Sequence, residues 1–258
     1  MNKIMYSLLL FVLFSSSVTG GNKIQPIKYL AYFNVYNATC ITCITYINNV
    51  RGFASFRERG PVASGVNITP FLVNGKNTVA MDVASLGALD GENHLAPDAR
   101  CELRVTAVTP EDEIEVIKLV ATTNDKLQPI STASFSDSEK TNGSPVVSEK
   151  VKDILLTNIS VEFAKMFSRE FNIQGIPDWA WTKATPFEPT AENIAKLQQA
   201  YMELTQLILN KDGAGIQKIA HISFSEKEMA EGLKPESWYK SFGFDEYLPR
   251  VSVVDPFK

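Results

Sequence analysis

The chain has 258 residues, 45% hydrophobic and 21% charged, with a formal net charge of -4. That balance suits a globular protein with ample material for a core and excludes a disordered or fibrous chain. Lys and Arg are scattered rather than gathered into a stripe, so the charge pattern of a nucleic-acid binder is missing, and so is that of a protein held at an anionic membrane surface.

The first 20 residues read as a secretory signal. Lys3 supplies the positive start, an apolar run extends from Tyr6 to Phe14, and Val18, Thr19 and Gly20 predict cleavage after Gly20. The run is much shorter than the roughly 20 residues a spanning helix needs. The expectation is therefore removal of the signal, no transmembrane segment, and a periplasmic or secreted mature chain. Sequons at Asn37, Asn67, Asn142 and Asn158 keep a eukaryotic secretory route open.

Residues 25–125 predict an all-β sandwich. Tyr29, Ala31, Phe33 and Val35 alternate with other residues, as do Ile41, Cys43, Thr45 and Ile47, with Asn48, Asn49 and Gly52 as turn residues after them. Asn74-Gly75 between the alternating runs at 66–73 and 78–83 predicts a tight hairpin, because a type I′ turn needs positive φ at both central positions. A second hairpin is predicted from 101–108 and 113–121 around Thr109-Pro110-Glu111-Asp112.

Three cysteines fall in this region. Cys40 and Cys43 form a C-x-x-C, but on a strand an offset of three places their side chains on opposite faces. The surroundings lack the helix start that a redox pair of this kind uses. The expectation is a disulfide between Cys101 and either Cys40 or Cys43, with the third cysteine a small buried hydrophobe. Cys40, Cys43, His94 and Cys101 have the ligand types of a Cys3His zinc site but an unusual spacing. No metal or cofactor is expected.

Residues 126–150 are rich in Ser, Thr, Asp, Glu, Lys and Asn, which predicts a linker or long exposed loop. Residues 151–258 predict a smaller α+β unit with one long and two short helices, so the fold class is mixed. Val161, Phe163, Phe167, Phe171 and Ile173 share one parity and predict a half-buried strand, followed by a turn at Gly175-Ile176-Pro177-Asp178. A helix is predicted over 191–210, with Thr190 as N-cap and Ile194, Leu197, Tyr201, Leu204 and Ile208 on one face. Ile216, Ile219 and Ile222 predict a second helix. Ser225 with Glu228 predicts a capping box opening a third, and 251–254 predict a final strand.

Catalytic arrangements are hard to assemble from these residues. His94 and His221 are the only histidines, and both read as structural or solvated. There is no G-x-S-x-G elbow, and the nearest Gly-Ser falls in the expected loop. Asp82, Asp90, Glu92 and Asp98 could offer oxygen ligands to calcium but lack the EF-hand order. Trp179 and Trp181 lie two apart, so an extended segment would present both on one face; they are the candidate binding residues.

The function expected is that of an exported, non-catalytic protein that binds a macromolecular partner. A protein partner is favoured, either a toxin or an enzyme, with the chain acting as a periplasmic inhibitor or immunity-type protein. A glycan-binding or cell-envelope-associated module acting through the two tryptophans is the alternative. A carboxylate-based envelope hydrolase is the third reading.

Overall fold

The structure, a computed structural model, describes residues 28–36, 42–55, 62–85, 87, 94–136 and 145–250. The expected signal, Cys40, Asp90, Glu92 and the expected strand at 251–254 lie outside the described residues.

Among the described residues, ten strands form two antiparallel sheets of five in a sandwich-like arrangement, followed by a helical region. In chain order the strands are β1 Lys28–Val35, β2 Thr42–Ile47, β3 Val50–Ser55, β4 Val62–Asn67, β5 Gly75–Ala84, β6 Cys101–Val108, β7 Glu113–Thr123, β8 Pro129–Ile130, β9 Val146–Ser148 and β10 Ala164–Ile173. The first sheet runs β4-β1-β6-β7-β8 and the second β3-β2-β5-β10-β9.

The alternation read from the sequence becomes the core. Tyr29, Ala31, Phe33 and Val35 are all buried while the residues between them are not. They meet Val79, Met81, Val83, Leu103, Val105, Ile117, Leu119 and Phe167 in one apolar cluster. Cys43 on β2 and Cys101 on β6 form a disulfide, their Cα atoms 6.5 Å apart. Because β2 and β6 belong to opposite sheets, the bridge crosses the core and selects Cys43 from the two candidates. It also takes two thiolates from the Cys40, Cys43, His94 and Cys101 set, so that zinc site does not form.

The hairpin at Thr109-Pro110-Glu111-Asp112 forms as expected, with Val108 opposite Glu113 and Thr109 N donating to the Asp112 carbonyl at 2.8 Å. The hairpin expected at Asn74-Gly75 does not form. β4 pairs with β1 in the first sheet, whereas β5 pairs with β2 and β10 in the second. Pro70 interrupts the intervening chain in a 3-10 turn over Thr69–Phe71, since proline has no N–H for a ladder. Side chains then capture the backbone that a hairpin would have paired. Asn77 accepts from Val73 N and donates to the Val73 and Gly75 carbonyls, while Asn74 donates to the Ile176 carbonyl at 2.7 Å. A two-residue hairpin of the type I′ kind occurs instead at Asn48 and Asn49, with φ of 46° and 68°, between β2 and β3.

Residues 126–150 supply β8, β9 and a short helix α1, Ala133–Ser136. Ser136 Oγ accepts from Val120 N at 3.0 Å, holding α1 against β7. The strand expected near 161–173 is β10, which pairs with β5 along its whole length. The segment leading into it folds over the outer face of the second sheet, where Val151 and Leu156 pack on Ile44, Tyr46, Ala80 and Ala84.

The helical region contains α2 Ala191–Leu209, α3 Gly213–Ile219, α4 His221–Glu231, α5 Ser237–Ser241 and α6 Phe244–Tyr247. Thr190 caps α2 by accepting from Asn193 N at 3.2 Å, as expected. The capping box at Ser225 does not exist. Ser225 sits inside α4 and bonds back to the His221 carbonyl at 2.7 Å, and the buried Glu228 instead accepts from Glu236 N and Trp238 N at the start of α5. Phe224, Trp238, Tyr239, Phe242 and Phe244 stack into an aromatic cluster that joins α4, α5 and α6. Among the described residues, no helix is long and apolar enough to cross a membrane.

Candidate functional site

The tight Asn48-Asn49 turn directs β3 back along the sheet and leaves Asn48 at its corner. Asn48 Nδ2 donates to the Phe71 carbonyl at 2.9 Å, and its Oδ1 accepts from Thr78 N at 2.8 Å. The loop carrying Pro70 and Phe71 is thereby pinned beside β3. From the other side Trp179 and Trp181 hold the same loop. The Trp179 indole N–H donates to the Leu72 carbonyl at 3.0 Å, and the Trp181 indole N–H to the Pro70 carbonyl at 2.9 Å.

The two tryptophans do not present themselves equally. The segment is not extended: Trp179 precedes a 3-10 turn over Ala180–Lys183, so the two rings diverge. Trp179 is 1% exposed and belongs to the core, whereas Trp181 is 47% exposed. Each indole spends its one polar hydrogen on the protein itself and offers its apolar ring as wall.

The third wall is α3 and α4. Asn67 Nδ2 donates to the Ala230 carbonyl and to Glu231 Oε2, both at 2.9 Å, which ties the end of α4 to the end of β4. Glu226 accepts from Ala180 N and ties the helix to the tryptophan segment. Lys227 pairs with Glu231 and lies 5.1 Å above the Trp238 ring. Burial alone would raise the Glu231 carboxyl, but hydrogen bonds from Lys227 and Asn67, with the Lys227 charge, outweigh it and hold the group below its ordinary range.

The result is an open groove of about 820 Å³ between the sandwich and α4. Its walls are Val50, Pro70, Phe71, Trp179, Trp181, Ile219 and Ile222, with Asn48, Ser223, Glu226 and Lys227 as the polar groups. Phe71, Trp181, Ile219 and Ile222 are all exposed. An apolar floor with charges at one margin can hold an apolar side chain of a partner and orient it by the rim. A second, smaller cavity of about 250 Å³ reaches between β3 and β4 and shares Val50 and Phe71 with the groove.

The remaining sequence candidates lie elsewhere. His221 is exposed at the start of α4 and His94 is exposed before β6. Of the proposed oxygen ligands, Asp98 is exposed and Asp82 is fully buried on the other side of the second sheet. Asp82 Oδ2 accepts from the Tyr46 hydroxyl at 2.9 Å and from Lys152 N and Asp153 N at 2.8 Å. Burial nevertheless raises its pKa, and those hydrogen bonds offset only part of the rise. Among the described residues no group of His, Cys, Asp and Glu is placed to hold a metal ion.

Sequence reasoning found the tryptophans and missed Phe71, Val50, Ile219 and Ile222 as companions. Pro70 in a run expected to be a strand was the one local signal that the chain bends there.

No protein-family model matches the chain. No curated protein matches it either. Among solved structures it is similar to a C2 domain protein from Ramazzottius varieornatus, with 11% identity, 64% of this chain and 96% of that chain covered, and a TM-score of 0.14. A likeness of that size carries no functional argument.

Proposed function

We propose that this is an exported, non-catalytic protein that binds a protein partner through the groove between the sandwich and α4, acting as a periplasmic inhibitor or immunity-type protein. The observation that carries the reading is the exposed apolar wall of Trp181, Phe71, Ile219 and Ile222 beside Glu226 and Lys227. Aromatic anchors in an apolar floor with a charged margin are the anatomy of a protein-binding surface. Burying such a wall removes it from water, and about 25 cal/mol is gained per Å² of apolar surface covered. The inter-sheet disulfide supports export, because such bonds persist in oxidising compartments. The strand-side walls are built on the sandwich, and the helical wall is tied to it by the Asn67 and Glu226 hydrogen bonds, so part of the ordering cost of binding is already met.

The test uses the gene deletion and the protein together. Cells lacking the gene should become sensitive to a toxin or enzyme released by neighbouring cells. The wild-type protein should restore resistance and retain that molecule at fixed stoichiometry, while Ile222→Asp should do neither. Unchanged resistance in the deletion strain, or full rescue by Ile222→Asp, would sink the reading.

A further inference from the structure

β4 is the outer strand of the first sheet, and among the described residues no strand pairs with its free side. Edge strands are ordinarily blunted by a charge, a proline or a bulge. β3, the outer strand of the second sheet, carries Arg51 and a register shift at Thr45. β4 reads Val-Ala-Ser-Gly-Val-Asn, with neither charge nor proline, and its register against β1 is unbroken over six residues.

The main-chain groups that β4 turns outward follow from its hydrogen bonds. Ile68 N donates to the Tyr29 carbonyl at 2.8 Å and Tyr29 N to Thr69 Oγ1 at 2.8 Å, so Tyr29 faces the β4 side. Tyr36 N donates to the Arg100 carbonyl on the β6 side. Alternation along β1 then turns Ala31, Phe33 and Val35 towards their partners Val66, Ser64 and Val62. The N–H and C=O groups of Ala63 and Gly65 are left pointing away from the sheet, a row of donors and acceptors that an extended main chain matches.

Beside this edge lies the cavity of about 250 Å³ between β3 and β4. Val50, Val66 and Phe71 are exposed at its mouth, and Ala31, Ile47 and Leu103 are buried at its floor. The polar groups on its walls are already engaged. Thr45 Oγ1 accepts from Phe53 N at 2.9 Å and donates to the Phe53 carbonyl, while Arg51 pairs with Asp153 at 3.1 Å. An apolar cavity of this kind favours hydrocarbon over water. In a strand added to β4, the residue opposite Val66 would carry its side chain on the same face, with Cβ atoms about 4.5–5.5 Å apart.

The two features together select the occupant. A free hydrocarbon would fill the cavity but leave the hydrogen-bonding row unanswered. A second copy presenting its own β4 would answer the row, yet its side chains on that face are Val62, Ser64 and Val66, none larger than valine. We propose that β4 receives an extended strand from a protein partner, which hydrogen-bonds to the outward main chain of Ala63 and Gly65 and inserts one large apolar side chain beside Val66 into the cavity. This rests on the reading of a protein partner and gives the contacting segment its form, but its test uses synthetic peptides, so it can fail while the groove and the resistance it confers stand.

The probe is the blocked peptide Thr-Val-Thr-Phe-Thr-Val-Thr, titrated into the whole protein beside a version with Ala in place of Phe. The Phe peptide should bind saturably and slow exchange of the Ala63 and Gly65 amides, and the Ala peptide should bind at least about tenfold more weakly. Ala63→Pro removes an outward N–H, which an edge strand tolerates; it should abolish binding while melting as wild type does. Val66→Lys, a second variant at the exposed mouth, should bring the Phe peptide down to the level of the Ala peptide. The proposal is overturned by a Phe peptide that does not saturate, by equal affinity for the two peptides, or by binding that survives Ala63→Pro. Binding that leaves the Ala63 and Gly65 amides exchanging freely would mean a cavity filled without a strand, and overturns it too. So does a doubled mass without peptide that Ala63→Pro halves, since the edge then belongs to a second copy.

Discussion

The indole nitrogen of Trp179 lies 3.0 Å from the carbonyl oxygen of Leu72, 107 residues earlier in the chain. Through that bond the loop that leaves β4 and the segment that leaves β10 become one wall. Trp181 repeats the arrangement with Pro70 two residues back along the loop, but with its ring turned to solvent.

The pair should therefore separate stability from binding. Trp179→Ala empties a fully buried site and should cost about 3–5 kcal/mol in urea denaturation. Trp181→Ala removes a half-exposed ring and should cost about 1 kcal/mol, yet it should abolish retention of the partner. Equal losses of stability would show that the two rings share one role.

The disulfide gives a second prediction. Cys43 and Cys101 are separated by 58 residues, and cross-linking a loop of that size constrains the unfolded chain by about 4 kcal/mol in the chain-entropy estimate. Cys43→Ser with Cys101→Ser should lower stability towards that figure, and adding reductant should then have no further effect on the variant. Reductant that still destabilises the double variant would place the bond elsewhere.

Asp82 makes stability depend on pH in an unusual direction. Burial raises its folded pKa above the unfolded value, so the folded protein keeps the proton to higher pH than the unfolded chain does. Stability from this group is present at low pH and is lost as pH rises from the ordinary carboxylate range through the raised value. Asp82→Asn should abolish that component, so its stability advantage over wild type should widen as pH rises through the same window. Asp82→Ala leaves the Tyr46 hydroxyl and the Lys152 and Asp153 amides without an acceptor, and should cost about 3 kcal/mol. Denaturation curves of the three proteins across pH check both expectations.

Glu231 has the opposite sign. Its folded pKa is held low, so its contribution is present above the ordinary glutamate value and is lost as pH falls through the depressed one. Acid should loosen α4 from the sandwich before the sandwich itself unfolds, because Asn67 and Lys227 both depend on this carboxylate. Protection of the α4 amides, taken as exchange relative to the intrinsic rate at each pH, should fall at low pH in wild type and be reduced already at neutral pH in Glu231→Gln. Unchanged exchange in the variant would remove the carboxylate from any role in docking the helix.

The sequence alone determined whatever depends on neighbours a few residues away. The alternation in β1, the turn joining β6 to β7 and the Thr190 cap of α2 were legible because periodicity, proline φ and a capping hydroxyl all act within one or two turns of chain. The tertiary structure decided the rest. Asn74-Gly75 has the chemistry of a hairpin, but β4 and β5 gain more by joining different sheets, and Pro70 with the Asn77 side chain satisfies the backbone in between. Cys43 rather than Cys40 meets Cys101 because β2 and β6 face one another across the core, and Trp181 joins Phe71 and Ile222 because strands and helices far apart in sequence converge there. Such contacts depend on which surfaces are left to be buried once every local preference has been met, and no window of sequence contains both partners.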